Sequence, residues 1–519
     1  MKNKLEISKT DIIADLNYLL KFLVSVFPID IIMKRCYNID FYNIMQYYYK
    51  KAKDISDIRN FASLLSELFC ALKCNHLWLN DCLYSYLKNN NTESPIKDYI
   101  KKSISSKAVY RTHLVFKDLI QHKTIPIPLF YYQNEYYIKY PLVLDKVFLS
   151  AGSKLISVNG LSSCELIAQY QDQLSLYDFQ NKIFYSTFGN PETHYIGSNI
   201  YLLLESSRYK FIFEDHLQKK ITLEYNNSSQ GQSQCNIYKP RNSFHNFSKM
   251  VHYFSELKIL YIRIPAMNLD DLNYYIENIL IEGKKGIVKA VVFDIRNNPG
   301  GQSLLWINIL KHIISNKMEY RTEYIVKNSY ENKKYISIYS KLLKRLKKNN
   351  ENISYDSFGN NLSLKKIPFL DNQEYLYFEC NSTLVPDCNS LSLTVPMYII
   401  TQNIYSAAGC FTAFASSNNI NIVGDDNPLP LGSCFDPMLV ELPKSHLIFS
   451  ITNTLDITNC KNLEDIFHTQ INIPVILSLE EKVEYYNTDL GNSQNDKCQW
   501  LLTQDPYFRK VIYLLTQTE

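Results

Sequence analysis

Between Ile287 and Ile295 apolar residues, many of them β-branched, crowd together without alternating with polar ones. A strand buried on both faces reads this way, so the run predicts a central strand covered by helices. Asp294 and Arg296 stand at its end, where a charged pair needs solvent or partners. Then come Asn297-Asn298-Pro299-Gly300-Gly301, a turn, and the helical pattern Leu304–Ile314. The two glycines leave their amides unshielded by a Cβ and close to a helix N-terminus, where negative charge is stabilised. Such a turn can serve as an oxyanion hole, and equally as an ordinary strand-to-helix connection.

The same periodicities organise the rest of the chain. Apolar residues at helical spacing predict helices at Ile12–Val26, Phe41–Ala52 and Ile58–Leu72, with Ser56 and Asp57 as caps before the third. Residues 80–240 look β-rich, with strands at Tyr131–Tyr140 and Lys219–Tyr225. A short strand, an Asn159-Gly160 turn and a helix at Ser163–Gln173 lie among them. From 256 a strand–helix–strand rhythm begins: strand Leu257–Ile264, helix Asp270–Ile281, strand Ala290–Ile295. It resumes with strand Met397–Thr401, a helix through Ser416 and strand Ile420–Val423. The β-like stretches Met438–Leu442 and His446–Ile451 follow. The expected domains are a helical 1–79, a β-rich 80–255 and an α/β core 256–475 interrupted at 317–375. A helical 476–519 closes the chain.

Composition narrows the function classes. A net charge of +4, from 55 basic and 51 acidic residues, is too balanced to call for a nucleic-acid partner. The basic run Lys341–Lys348 reads as a solvated helix face. No apolar stretch reaches the length of a membrane span, and Asp11, Asp15 and Asn17 break the N-terminal apolar run. The expectation is therefore a cytoplasmic protein without membrane insertion. The 12 cysteines lack metal-ligand spacing. Cys70, Cys74 and His76 could tempt one towards zinc, but no second half follows, so they read as buried reduced thiols beside a structural histidine. No metal or cofactor is implied, and the oligomeric state is open.

Ser406 falls between a buried strand and a helix, flanked by the small Ala407 and Ala408. There its hydroxyl can be a nucleophile at the sheet edge or simply a helix N-cap. The surroundings are not G-x-S-x-G, which excludes an α/β-hydrolase elbow. Cys410, further along the helix, is a rival nucleophile that is expected to face the packing.

Together, D-I-R-N-N-P-G-G and Y-S-A-A-G resemble the signature of the S41 peptidases, the C-terminal processing proteases and their tricorn-core relatives. The resemblance extends to A-G-S-K-L-I-S-V-N-G, similar to the family's PDZ-like segment (about 140–180), and to E-L-P-K-S-H-L-I-F-S-I, similar to its closing strands. It implies an α/β fold with a crotonase-like ββα spiral core, an N-terminal helical bundle and a reduced PDZ-like domain. It also implies a serine endopeptidase acting on peptide or protein substrates through an acyl-enzyme.

Carried over by residue, the resemblance makes Ser406 the nucleophile and assigns the oxyanion hole to the amides of Gly300 or Gly301 with that of Ala407. One branch of the family takes its base from a lysine after G-E-x-T-x-G-K. Here G-D-D-N-P-L-P-L-G-S-C has no lysine. The other branch uses a histidine of the leading segment, matched in K-C-N-H-L at His76, which becomes the expected general base. Glu464, with Asp465 beside it, is the expected acid that orients the histidine. The sequence departs from the family at Gly409, where glutamate is usual. The alternative reading is an inactive scaffold that binds a peptide or a small apolar ligand.

Overall fold

The run expected as a buried strand is a strand at Ala290–Asp294 in which every residue is buried, and it lies inside a six-stranded sheet. The computed structural model describes the chain apart from residues 1–5, 29, 31–33, 36–37, 39, 73–76, 81–82, 85–86, 88–99, 101–102, 122–126, 134, 171–174, 179–182, 186–207, 227–233, 242–246, 339–361, 364–373, 405, 426–437, 463–464, 466–470 and 518–519. The expected base His76, the expected acid Glu464 and the basic run Lys341–Lys348 lie outside the described residues.

The sheet runs β1 (Met250–Phe254), β2 (Ile259–Arg263), β3 (Ala290–Asp294), β4 (Met397–Thr401), β5 (Asn421–Gly424), β6 (Ile473–Pro474). Only the β1–β2 pair is antiparallel; β2 to β6 are parallel. Parallel neighbours require crossovers. Helix α1 (Leu272–Gly283) lies between β2 and β3, α2 (Leu304–Lys311) follows β3, and α3 (Ala407–Ser417) joins β4 to β5.

Side chains alternate across the sheet, which makes three layers. On one face Val291, Phe293, Ile399 and Ile422 pack with Tyr275 and Ile279 of α1, Trp306 of α2 and Phe411 of α3. The Trp306 and Phe411 rings stack 5.0 Å apart. On the other face Ala290, Val292, Ile400 and Val423 pack against the C-terminal helices α4 (Leu479–Asn487), α5 (Gln494–Thr503) and α6 (Pro506–Gln517). With helices on both faces no polar face is needed, which is why β3 lacks alternation in the sequence.

Around this core the N-terminal helices Lys9–Val26, Phe41–Ala52 and Ile58–Ala71 form as expected. Asp57 caps the third, accepting the Arg59 amide at 2.7 Å. The expected single strand at Tyr131–Tyr140 is instead a hairpin, Leu129–Tyr132 against Glu135–Ile138, turning at Gln133 with φ +46°. Residues Lys154–Val158, Asn159-Gly160 and Ser163–Tyr170 form strand, turn and helix, and Asn159 and Gly160 take the positive φ of a tight hairpin turn. At the two ends of the expected insertion, Met318–Lys327 and Tyr375–Leu384 pair along their whole length, and Met318–Lys327 also pairs with Thr454–Asp456. Trp78–Leu79, directly after the segment that carries His76, pairs with the closing strand Ile448–Ile451. No helix among the described residues is long and apolar enough to cross a membrane.

Candidate active site

Two turns leave the ends of neighbouring parallel strands. After β3 the chain continues through Ile295–Gly301, and after β4 through Gln402–Ser406. Backbone bonds hold them together past the sheet: Ile295 donates to the Ile400 carbonyl at 2.9 Å and Asn297 to the Gln402 carbonyl at 2.6 Å. The Asn403 side-chain amide reaches Asn297 Oδ1 at 3.3 Å. Asn297 and Asn403 both have positive φ, +56° and +48°, a region asparagine tolerates better than most residues.

The first turn is shaped by Asn298, fully buried. Its side-chain amide donates to the Ile264 carbonyl at 2.9 Å, and its Oδ1 accepts the Gly300 amide at 2.8 Å. Met267 brackets the glycines, donating to the Gly300 carbonyl and accepting from Gln302, both at 2.8 Å. Gly301 is left exposed with φ +129°, and its amide has no partner among the described residues. A Cβ there would stand 2.4 Å from the Met267 carbonyl oxygen, so glycine is required by space as well as by φ. Of the two glycine amides expected to face an oxyanion, Gly300's is therefore occupied and Gly301's is open.

The second turn ends on Ser406, whose φ of +51° and ψ of −119° lie where non-glycine residues are rarely held. Its side chain makes no capping hydrogen bond, which removes the N-cap explanation for this serine. The residue is half-buried. The Ala407 amide that follows opens α3 without a partner among the described residues, as helix-starting amides do. Such strain persists only where packing over-determines it, and here Ile404, Ala407, Ala408 and Phe411 are all buried in the core.

Cys410 is buried, and burial pushes its thiol well above the ordinary range, which disfavours it as a nucleophile. Asp456, fully buried near it on the strand Thr454–Asp456, has its carboxyl pushed up to about 6 by burial, despite accepting the Thr458 amide at 2.8 Å. Asp465, the neighbour of the expected acid, accepts the Lys461 and Asn462 amides in its own loop. His446 holds Glu441 at 2.6 Å, and Glu441 also binds Ser105.

Beneath both turns lies a charge cluster only half visible in the sequence. Asp294, expected to need a partner, is met by Arg296 at 2.5 Å and Arg263 at 3.5 Å, all buried. Burial alone would raise the Asp294 carboxyl, but the two guanidiniums outweigh it and hold it below the usual range. The second anion is Asp505, at the start of α6, 2.7 Å from Arg296. Burial raises its carboxyl, and Arg296 offsets this only in part. Sequence reasoning missed Asp505, Asn298 and Asp456. The signal available for Asp505 was charge balance, since two buried arginines leave Asp294 outnumbered.

Residues 258–428 match the model of Peptidase family S41, which marks a serine-type peptidase domain. The matched stretch contains Gly300, Gly301 and Ser406, while His76 and Glu464 fall outside it. The structure of mature CPAF complexed with lactacystin is similar at a TM-score of 0.57, with 11% identity over 98% of this chain and 99% of that one. The crystal structure of mature CPAF is similar at 0.56, with 11% identity over 92% and 95%. At that identity the likeness is one of fold. No curated protein matches the sequence.

Proposed function

We propose that this S41-type serine peptidase is an endopeptidase of the Ser-His kind, with Ser406 as nucleophile, His76 as general base and Glu464 orienting the histidine. The amides of Gly301 and Ala407 form the oxyanion hole. The α/β core is read as the crotonase-like spiral, and the strand–turn–helix at residues 154–170 as part of a reduced PDZ-like module. The observation that carries the reading is Ser406: a strained, uncapped serine at a strand–helix junction, on the turn hydrogen-bonded to the one whose Gly301 amide has no partner among the described residues.

In the first step Ser406 Oγ adds to the scissile carbonyl carbon while its proton passes to the His76 imidazole. The carbonyl oxygen becomes an oxyanion that accepts hydrogen bonds from Gly301 and Ala407. The C–N bond then breaks, and the leaving amine takes the proton from the imidazolium. Water repeats the sequence on the ester, releasing the acid and restoring the serine. Nothing along this path calls for a metal.

The occupied Gly300 amide and the glycine at 409 favour the second reading, a scaffold that binds a peptide or a small apolar ligand without cutting it. Incubating the full chain and Ser406→Ala with a mixed peptide library, and reading products by mass, separates the two. Cleavage by the wild type alone supports the peptidase. Peptide retention with no cleavage by either protein supports the scaffold.

A further inference from the structure

Helix α6 begins directly under the candidate site, and its first residues reach both turns. Asp505 is fully buried. One carboxylate oxygen caps the helix, accepting the Phe508 amide at 2.7 Å, and the other accepts Arg296 Nη1 at 2.7 Å. Arg296 stands four residues before Gly300. Tyr507, also fully buried, lies under the Arg296 guanidinium at 5.0 Å from the ring centre. Its hydroxyl is 3.0 Å from Gln402 Nε2, which also donates to Asp425 Oδ2 at 3.0 Å. Gln402 stands four residues before Ser406. One helix start therefore holds a residue of each turn, Arg296 five positions before Gly301 and Gln402 four before Ser406.

We propose that the start of α6 is a positioning element that sets the Gly301 amide and Ser406 relative to one another, with Asp505 acting through Arg296 and Tyr507 through Gln402. The proposal rests on the roles given to Ser406 and Gly301 above. Stability alone does not call for these groups. A buried ion pair loses much of its attraction to desolvation, and apolar side chains of similar volume often serve as well or better. What a buried carboxylate and hydroxyl add is direction: each fixes its partner at one angle and distance. Two such contacts converge on strand ends whose following turns must agree to a fraction of an ångström for attack and oxyanion binding to coincide.

The test uses Asp505→Asn and Tyr507→Phe in the full chain, with steady-state peptide hydrolysis per folded molecule and amide hydrogen exchange. Both variants are expected to lower kcat, Asp505→Asn by about tenfold or more, with KM nearly unchanged. Exchange should quicken at 295–302 and 402–407 while α1 exchanges as before. Wild-type kcat and exchange in both folded variants overturns the proposal. So does loosening that spreads equally to α1, which is the mark of a plain structural plug. If Asp505→Asn does not fold, Tyr507→Phe, which removes one hydroxyl, decides by the same readouts. If the wild type cleaves nothing, the peptidase reading fails, and local exchange still decides whether α6 sets the two turns.

Discussion

Asn298 holds the Gly300 amide at 2.8 Å, so the turn that presents Gly301 is built around a buried side-chain amide. The same asparagine ties the turn to the Ile264 carbonyl at the end of β2. The double-glycine turn is thus a fixed object, and of its two glycine amides Gly300's is taken while Gly301's has no partner among the described residues.

Asn298→Ala follows from this. Removing the side chain leaves a buried carbonyl and a buried amide unpaired, each costing about 1–3 kcal/mol. Gly301 then loses its orientation, so kcat per folded molecule should fall with little change in KM. Denaturant midpoints and steady-state kinetics check both. Retained or increased kcat would mean that Gly300, released from Asn298, is itself the oxyanion donor.

Gly301→Ala should be more severe. The new Cβ meets the Met267 carbonyl at 2.4 Å, and φ is +129°, so stability falls. Loss of an oxyanion donor additionally costs roughly 10²–10³ in turnover. A turn with no catalytic role predicts normal kcat in the fraction that remains folded, and measuring kcat against active-fold content separates the outcomes.

The base is tested by pH. Activity should rise through a midpoint near 6–7, the usual histidine range, and His76→Ala should cost on the order of 10³-fold. Asp456 also titrates at about 6, so the midpoint should survive Asp456→Asn if it belongs to His76. Full activity in His76→Ala would move the assignment to His446, whose ring nitrogen is held by Glu441.

Asp456 makes a separate prediction about stability. Its folded value of about 6 exceeds its ordinary 3.8, so the folded state binds the proton more tightly. Stability from this group is present at low pH and is lost as pH rises through about 6. The span corresponds to about 3 kcal/mol. Asp456→Asn should therefore flatten the decline in denaturant midpoint between about pH 4 and 6. An unchanged slope would contradict the sign.

Much of this architecture was legible because local pattern decides it. The apolar crowding from Ile287 to Ile295 reads as a strand covered on both faces, and Ser406 stood out at the strand–helix junction. The Tyr131–Tyr140 stretch misled because Gln133, where the chain turns, is neither glycine nor proline and its strands share one apolar character. Gly300 and Gly301 looked equivalent, since only the fold shows which amide a neighbouring asparagine takes. Asp505 was hidden by sequence distance, lying at the far end of the chain from the arginine it meets.

The central claim is that Ser406 carries the chemistry, and a fluorophosphonate probe tests it most directly. The full chain is labelled, digested and read by peptide mass, beside Ser406→Ala. The account predicts one adduct, on Ser406, and no labelling of the alanine variant, whose thermal midpoint should stay within a few degrees because one hydroxyl contributes little to stability. An adduct on another residue, or equal labelling of the variant, would contradict it.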